Sequence, residues 1–252
     1  AGHRAGIEAL GRDGVPDTDE MTAYFREHYE PLFWVPGTLE EIEYPGLVRE
    51  LLGNLGLDVT DEELGRFLEA EHAAWEPSRR LGATTHALLE TLRSRGLKLG
   101  LVSNAFDPGW LLHSDLERMG IAERIDFAVF SSEFGKRKPH PAIFERALEA
   151  LGTVADDAIF VGDRLFEDVR GSNDVGMTSV QALWFRADEN TDGGEPDHQA
   201  FTQMDVLNIA DRLLPYVFLF PVLALGILFL LDPAVRTFIE SFMEQSQRRG
   251  ES

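Results

Sequence analysis

Hydrophobic positions follow two different rhythms along the chain. From Thr18 to about Glu76 they recur at helical spacing. Tyr24, Phe25 and Tyr29 share one face, and Val48, Leu51, Leu52 and Leu55 repeat the pattern. Thr60 with Glu63 has the spacing of a capping box ahead of Leu64, Phe67 and Leu68. No strand is expected in this region, and Ala1 to Leu10 (AGHRAGIEAL) reads as the middle of a helix rather than a signal peptide. From Thr85 onward helices and strands alternate. Helices are expected at Ala87–Arg95, stopped by Gly96, at Leu111–Met119, at Ala142–Leu151 and at Phe166–Val175, stopped by Gly176. Between them Leu97–Val102, Phe127–Phe130, Ala158–Val161 and Thr178–Leu183 read as buried strands. Such alternation predicts an α/β fold, a parallel sheet with helices on both faces whose ligands sit beyond the carboxyl ends of the strands.

Beyond Trp184 the pattern breaks. Arg186 to His198 (RADENTDGGEPDH) is polar and glycine-containing, the composition of a surface loop or linker. Leu213 to Leu231 (LLPYVFLFPVLALGILFLL) carries no charge and approaches the roughly 20 residues that a membrane-spanning helix needs. Pro215 suits a helix start, and Val235, Phe238, Ile239, Phe242 and Met243 form an apolar stripe further on. The expected division is a helical region at 1–83, an α/β core at 84–185, a linker with a short helix at 186–212, and a hydrophobic helix with an amphipathic tail at 213–252. Arg236, Arg248 and Arg249 against Arg212 would place the tail in the cytoplasm by the positive-inside rule. The fold type and the missing signal peptide favour instead a cytoplasmic domain, anchored to a membrane if Leu213–Leu231 spans one.

Charge narrows the function classes. The 252 residues hold 23 basic and 44 acidic side chains, a formal charge of −21. That balance opposes nucleic-acid binding, which rests on clustered Lys and Arg. The absence of cysteine removes disulfides, thiolate metal sites and a thiol nucleophile together. Lys98, Lys136 and Lys138 are the only lysines. The acidic runs Asp17–Glu20 and Glu40–Glu43 are most simply solvated helix ends. Tyr24, Phe25, Tyr29, Phe33 and Trp34 read as core of the helical region, and His113 and His140 as surface residues rather than metal ligands.

Three strings occupy the places where a doubly wound sheet carries its chemistry. In LGLVSNAF an apolar strand ends at Ser103 and Asn104, whose polar groups and backbone amides suit an oxyanion or phosphoryl group, although Ser-Asn after a strand is also ordinary turn chemistry. In EFGKRKPHPAIFERAL, Lys138 sits in a loop bracketed by Pro139 and Pro141 and can present a fixed positive charge to an anion. In AIFVGDRLFEDVRGSNDVGM a buried strand delivers Asp163, with Asp168 five residues later. This is an oxygen-donor pair of the kind that binds magnesium together with waters and phosphate.

In this order the three strings resemble the haloacid dehalogenase-like superfamily, over roughly Thr85 to Leu183, with the preceding helical region similar to that family's cap. The resemblance implies a Rossmann-like core and assigns Ser103 as the hydroxyl that binds the phosphoryl group, with Asn104 beside it. It also implies that Lys138 neutralises charge on the nucleophile and phosphoryl group, that Asp163 binds Mg2+, and that Asp168 supports the metal and the lysine. The paired acids favour a phosphatase of small phosphorylated metabolites, acting through an aspartyl-phosphate. Dehalogenating members carry a Ser-Ser-Asn arrangement that GDRLFED does not match.

One family motif has no counterpart. The nucleophile is the first aspartate of a DxDx(T/V) string after an apolar strand, and no such string occurs here. Asp13 in LGRDGVP offers half of it and reads as turn chemistry. In the family this strand lies between those carrying Ser103 and Asp163, so its loss would leave strand edges bare. The expectation is therefore a chain that starts just downstream of its nucleophile and is inactive as it stands. The alternative is a non-catalytic, membrane-tethered interaction or regulatory protein on the same fold. Substrate and oligomeric state are not legible.

Overall fold

The computed structural model describes residues 1–34, 38–184 and 193–213. They fall into two units. The first, from residues 1–34 and 44–80, is helical: α1 (Gly2–Leu10), α2 (Thr18–His28), α3 (Tyr44–Asn54) and α4 (Asp61–Ala73). The Thr60 side chain accepts from the Glu63 N–H while the Glu63 carboxylate accepts from the Thr60 N–H, so the anticipated capping box starts α4. The Asp17 carboxylate caps α2 by accepting from the Asp19 and Glu20 N–H groups. α1 lies against α4 with Gly6 pressed onto Phe67. A Cβ at Gly6 would come within 2.6 Å of that ring, which is why a side chain is absent there. Phe25 packs on Tyr29 and Phe33 as core of this unit, and the Trp34 side chain lies outside the described part.

The second unit joins residues 38–43 to the chain from residue 81 onward. Its strands are short and apolar. β1 (Gly100–Ser103) pairs in parallel with β2 (Phe127–Phe130), and β3 (Ile159–Gly162), β4 (Thr178–Ala182) and β5 (His198–Ala200) form a second parallel ladder. Every residue of β1 and β3 is buried, as expected of strands covered on both faces. Among the described residues the two ladders share no strand hydrogen bonds, and β1 and β3 each have one strand partner. The helices are α5 (Thr85–Ser94), α6 (Gly109–Arg118), the single turn α7 (Ser131–Phe134), α8 (Pro141–Leu151), α9 (Gly171–Asp174) and α10 (Asp205–Leu213). α8 holds the two ladders to one core. Its Ile143, Phe144, Ala147, Leu148 and Leu151 meet Val102 of β1, Val129 of β2 and Phe160 of β3, with the Phe144 and Phe160 rings edge to face at 4.9 Å.

The structure corrects three expectations. The helix anticipated at Phe166–Val175 opens as a wide π-helical turn, Leu165–Arg170, before α9. The Val169 N–H reaches back five residues to the Arg164 carbonyl, and the turn widens so that Asp168 can fold onto the end of β3. The polar segment expected to be a linker up to His198 leads into β5. The Asp197 carboxylate accepts from both the N–H and the hydroxyl of Ser179, setting the register of a strand too short to show a period of two. The run Glu40–Glu43 leads into α3 with Glu40 and Glu43 exposed, as expected of a solvated helix end, but the Glu41 side chain is 3% exposed. No helix among the described residues is long and apolar enough to cross a membrane, and the segment expected to do so lies beyond Leu213, outside them.

Because Phe144 fills the junction of the two ladders, Phe144→Ala is expected to cost about 3–5 kcal/mol in urea denaturation, the range for a buried Phe truncated to leave a cavity. Phe201→Ala, at a ring 69% exposed, is expected to change stability by less than about 0.5 kcal/mol.

Candidate active site

Ser103 is the last residue of β1, and Asp163 directly follows β3. Both are buried, as are Lys138, in the loop ahead of α8, and Asp168 on the wide turn. The Lys138 ammonium donates to Asp168 Oδ1 at 2.5 Å, and the second oxygen, Oδ2, accepts the Arg164 N–H at 3.0 Å. One carboxylate thus ties the lysine to the loop leaving β3. Gly162 makes this possible: a Cβ there would lie 2.3 Å from Asp168 Cγ, so any side chain would push the carboxylate off the strand end. Lys138 Nζ also stands 5.4 Å from the centre of the Phe160 ring, a cation–π distance.

Asn104 links β1 to the same lysine. Its Oδ1 accepts the Lys138 N–H at 2.7 Å and its Nδ2 donates to the Lys138 carbonyl at 3.0 Å. The carboxamide is committed to the backbone of the lysine loop, a role that no sequence pattern disclosed. The Lys138–Pro139 peptide is cis, and His140 Nδ1 accepts from the Ala142 N–H to cap α8. His113 pairs with Glu133 at 3.2 Å, both partly exposed. Asp13 is exposed in the turn after α1. Sequence reasoning also missed Ser131 and Glu41. The Ser131 hydroxyl donates to Glu41 and accepts the Ala105 N–H at 2.7 Å. Ninety positions separate these two residues, and no spacing rule connects them.

Two buried carboxylates, Asp163 and Asp168, share the strand ends with one buried ammonium, Lys138. Burial, and then the neighbouring Asp168, push the Asp163 carboxyl up to about 7, against the opposing pull of Arg164 and Lys138. A divalent cation beside Asp163 would offset the charge of the two acids. The donor set fits magnesium, a hard cation content with one or two carboxylates plus waters and phosphate. Among the described residues no cluster of three or more His, Cys, Asp or Glu side chains forms an all-protein metal cage.

Comparison with known proteins places this arrangement. The family model for haloacid dehalogenase-like hydrolases matches residues 48–182, more than half the chain. The chain belongs to the haloacid dehalogenase-like hydrolase family. A glyceraldehyde 3-phosphate phosphatase of Pyrococcus abyssi is 30% identical over 185 residues, 73% of this chain and 72% of its own length. One of Methanopyrus kandleri is 33% identical over 129 residues, 50% of this chain and 54% of the relative, so the chain spans about half the length of that protein. The solved 2-haloacid dehalogenase of Pseudomonas syringae superposes with a TM-score of 0.61 at 20% identity, over 84% of this chain and 90% of that one, a likeness of fold. The fold expected from the sequence, a parallel α/β core of this family preceded by helices, is the one found.

The raised Asp163 carboxyl has a direct consequence for stability. Its pKa of about 7 lies above the ordinary 3.8, so between these values the native state holds a proton that the unfolded state has lost. The stabilisation this gives is complete below pH 3.8 and disappears as pH rises through 7. Without divalent ions, Asp163→Asn is therefore expected to raise Tm relative to wild type more at pH 8 than at pH 5. An equal difference at both pH values would show that the carboxyl titrates normally.

Proposed function

We propose that this site is the phosphoryl- and metal-binding part of a magnesium-dependent phosphatase acting on small phosphorylated metabolites. The observation that carries the reading is the buried triad of Lys138, Asp168 and Asp163 at the strand ends: an ammonium fixed on one carboxylate with a second buried carboxylate nearby, a set that suits a cation and a phosphate dianion. In this reading Ser103 donates its hydroxyl to a phosphoryl oxygen, and Asn104 contributes its backbone N–H while its side chain holds Lys138 in register. Lys138 neutralises phosphoryl charge. Asp163 is the direct ligand of Mg2+, and Asp168 orients the lysine and backs the metal. The bound ion supplies charge screening of the phosphoryl group.

The relatives' names support the same chemistry. Both curated relatives are called phosphatases of a triose phosphate, whereas the dehalogenase likeness extends to fold alone. The acids of GDRLFED distinguish the two outcomes, because a haloacid gives no dianion to screen. The helices before residue 84 are proposed as the cap and residues 84–185 as the catalytic core. The reaction implied by the family runs through phosphoryl transfer to an aspartate, and the 252 residues hold no DxDx(T/V) string. The chain by itself is therefore proposed to bind phosphate and Mg2+ without turning over esters. In support of this, β1 and β3, the strands that flank the nucleophile strand in the family, each have a single strand partner among the described residues.

Two measurements test the reading. Inorganic phosphate titrated calorimetrically in the presence of Mg2+ is expected to bind wild type and to be weakened at least about tenfold in the double variant Lys138→Met/Asp168→Asn. That variant removes the buried pair as a unit and avoids stranding one charge. Unchanged binding would refute the site. With p-nitrophenyl phosphate and Mg2+, no turnover is expected. Turnover abolished by Asp163→Asn yet retained in Asp13→Asn would show that another residue attacks phosphorus.

A further inference from the structure

Glu41 lies ahead of the stretch 48–182 matched by the family model, yet it is bonded to the segments that lead to Lys138 and follow Ser103. The backbone of residues 39–41 is stitched to the lysine loop. The Arg137 N–H donates to the Leu39 carbonyl at 2.9 Å and the Glu41 N–H to the Gly135 carbonyl at 3.0 Å, an antiparallel bridge centred on Glu40 and Lys136. From there the buried Glu41 carboxylate accepts the Ser131 hydroxyl through Oε2. Its Oε1 accepts the Ile42 N–H at 2.9 Å and faces Arg137 Nη1 at 3.7 Å. Ser131 is wholly buried, and its Oγ accepts the N–H of Ala105, the residue after Ser103 and Asn104.

We infer that Glu41 is a positioning residue for the phosphoryl-binding turn, acting through Ser131; the inference rests on the phosphatase reading of the site. A serine hydroxyl has one hydrogen and two lone pairs, and its rotor follows the stronger acceptor. Ser131 can donate to the Ala105 carbonyl, 3.2 Å away, or to Glu41. A carboxylate makes the shorter and stronger bond, so the hydrogen points at Glu41 and a lone pair faces the Ala105 N–H. The turn at residues 103–105 is thereby held from behind, and the Asn104 carboxamide passes the same register on to Lys138. Packing alone would be served by an uncharged side chain of similar shape. The charge sets the direction of the hydroxyl.

The test titrates inorganic phosphate with Mg2+ into wild type, Glu41→Ala, Glu41→Gln, Ser131→Ala and the double alanine variant, and follows exchange of the Ala105 amide by 15N NMR. Glu41→Ala and Ser131→Ala are each expected to weaken phosphate about tenfold, the effect of losing a hydrogen bond to a charged group. The double variant is expected to be no weaker than either single one, because both residues act through one chain of bonds. Glu41→Gln keeps the shape but loses the charge that outcompetes the Ala105 carbonyl, and is expected to stay weakened like Glu41→Ala; wild-type affinity in Glu41→Gln would show that packing alone is at work and overturn the role of the charge. Ala105 is expected to lose exchange protection in Glu41→Ala while β1–β4 stay protected. A merely structural role would lower protection throughout the core. Absence of phosphate binding by wild type overturns the reading of the site and this role with it. Wild-type binding that Glu41→Ala leaves unchanged, or additive losses in the double variant, overturns the role of Glu41 alone.

Discussion

A single ammonium buried against a single carboxylate, Lys138 on Asp168, sets the terms for the surrounding loops. An ion pair taken out of water is tolerable only with close pairing and supporting hydrogen bonds, and the loops around this one supply such support. The free oxygen of Asp168 takes the Arg164 N–H, which forces the chain leaving β3 into a wide turn. The close approach forbids a side chain at position 162. On the lysine side, the peptide of Lys138 is gripped at both its N–H and its carbonyl by Asn104. The glycine, the π-helical turn and the asparagine clamp are local solutions to the same buried pair.

The overall charge of −21 makes the placement of positive charge informative. Three lysines have three distinct fates. Lys98 donates to the Leu151 carbonyl at 2.7 Å, satisfying the last turn of α8. Lys136 pairs with Glu40 beside the bridge. Only Lys138 is buried among acids. On the proposed phosphatase reading, an anionic substrate approaching so acidic a protein would meet repulsion almost everywhere, and Lys138 together with a cation at Asp163 would be where that repulsion is reversed. The rise of the Asp163 carboxyl to about 7 comes first from its burial and then from the neighbouring Asp168.

The sequence disclosed what local patterns encode. The capping box at Thr60 and Glu63, the buried strands ending at Ser103 and before Asp163, and Lys138 ahead of α8 all follow from spacing within about ten residues. What it concealed depends on pairing across the chain. β5 has three residues and no period of its own, and it exists because Asp197 reaches Ser179. Glu41 looked solvated because acidic runs usually are, whereas its burial is decided by Ser131 and Arg137, far along the sequence. The Asn104 carboxamide was legible as polar chemistry at a strand end. Its commitment to a backbone 34 residues away was not.

Fold and chemistry part company in this family. A superposition at 20% identity on a dehalogenase and sequence identity of about 30% to phosphatases describe the same strands and helices. In this chain the loop after β3 carries Asp163 and Asp168, both buried at the strand end. Two acids packed this closely in a dry site are costly unless something cationic shares it, and one lysine does not suffice to bring Asp163 back to its ordinary range. A site that stabilised only a small monoanion would have no reason to carry that cost. On the proposed phosphatase reading, the buried Asp163 and Asp168 suit chemistry that brings both a metal ion and a dianion, and the α8 packing that joins the two ladders would keep the parts of the site in register.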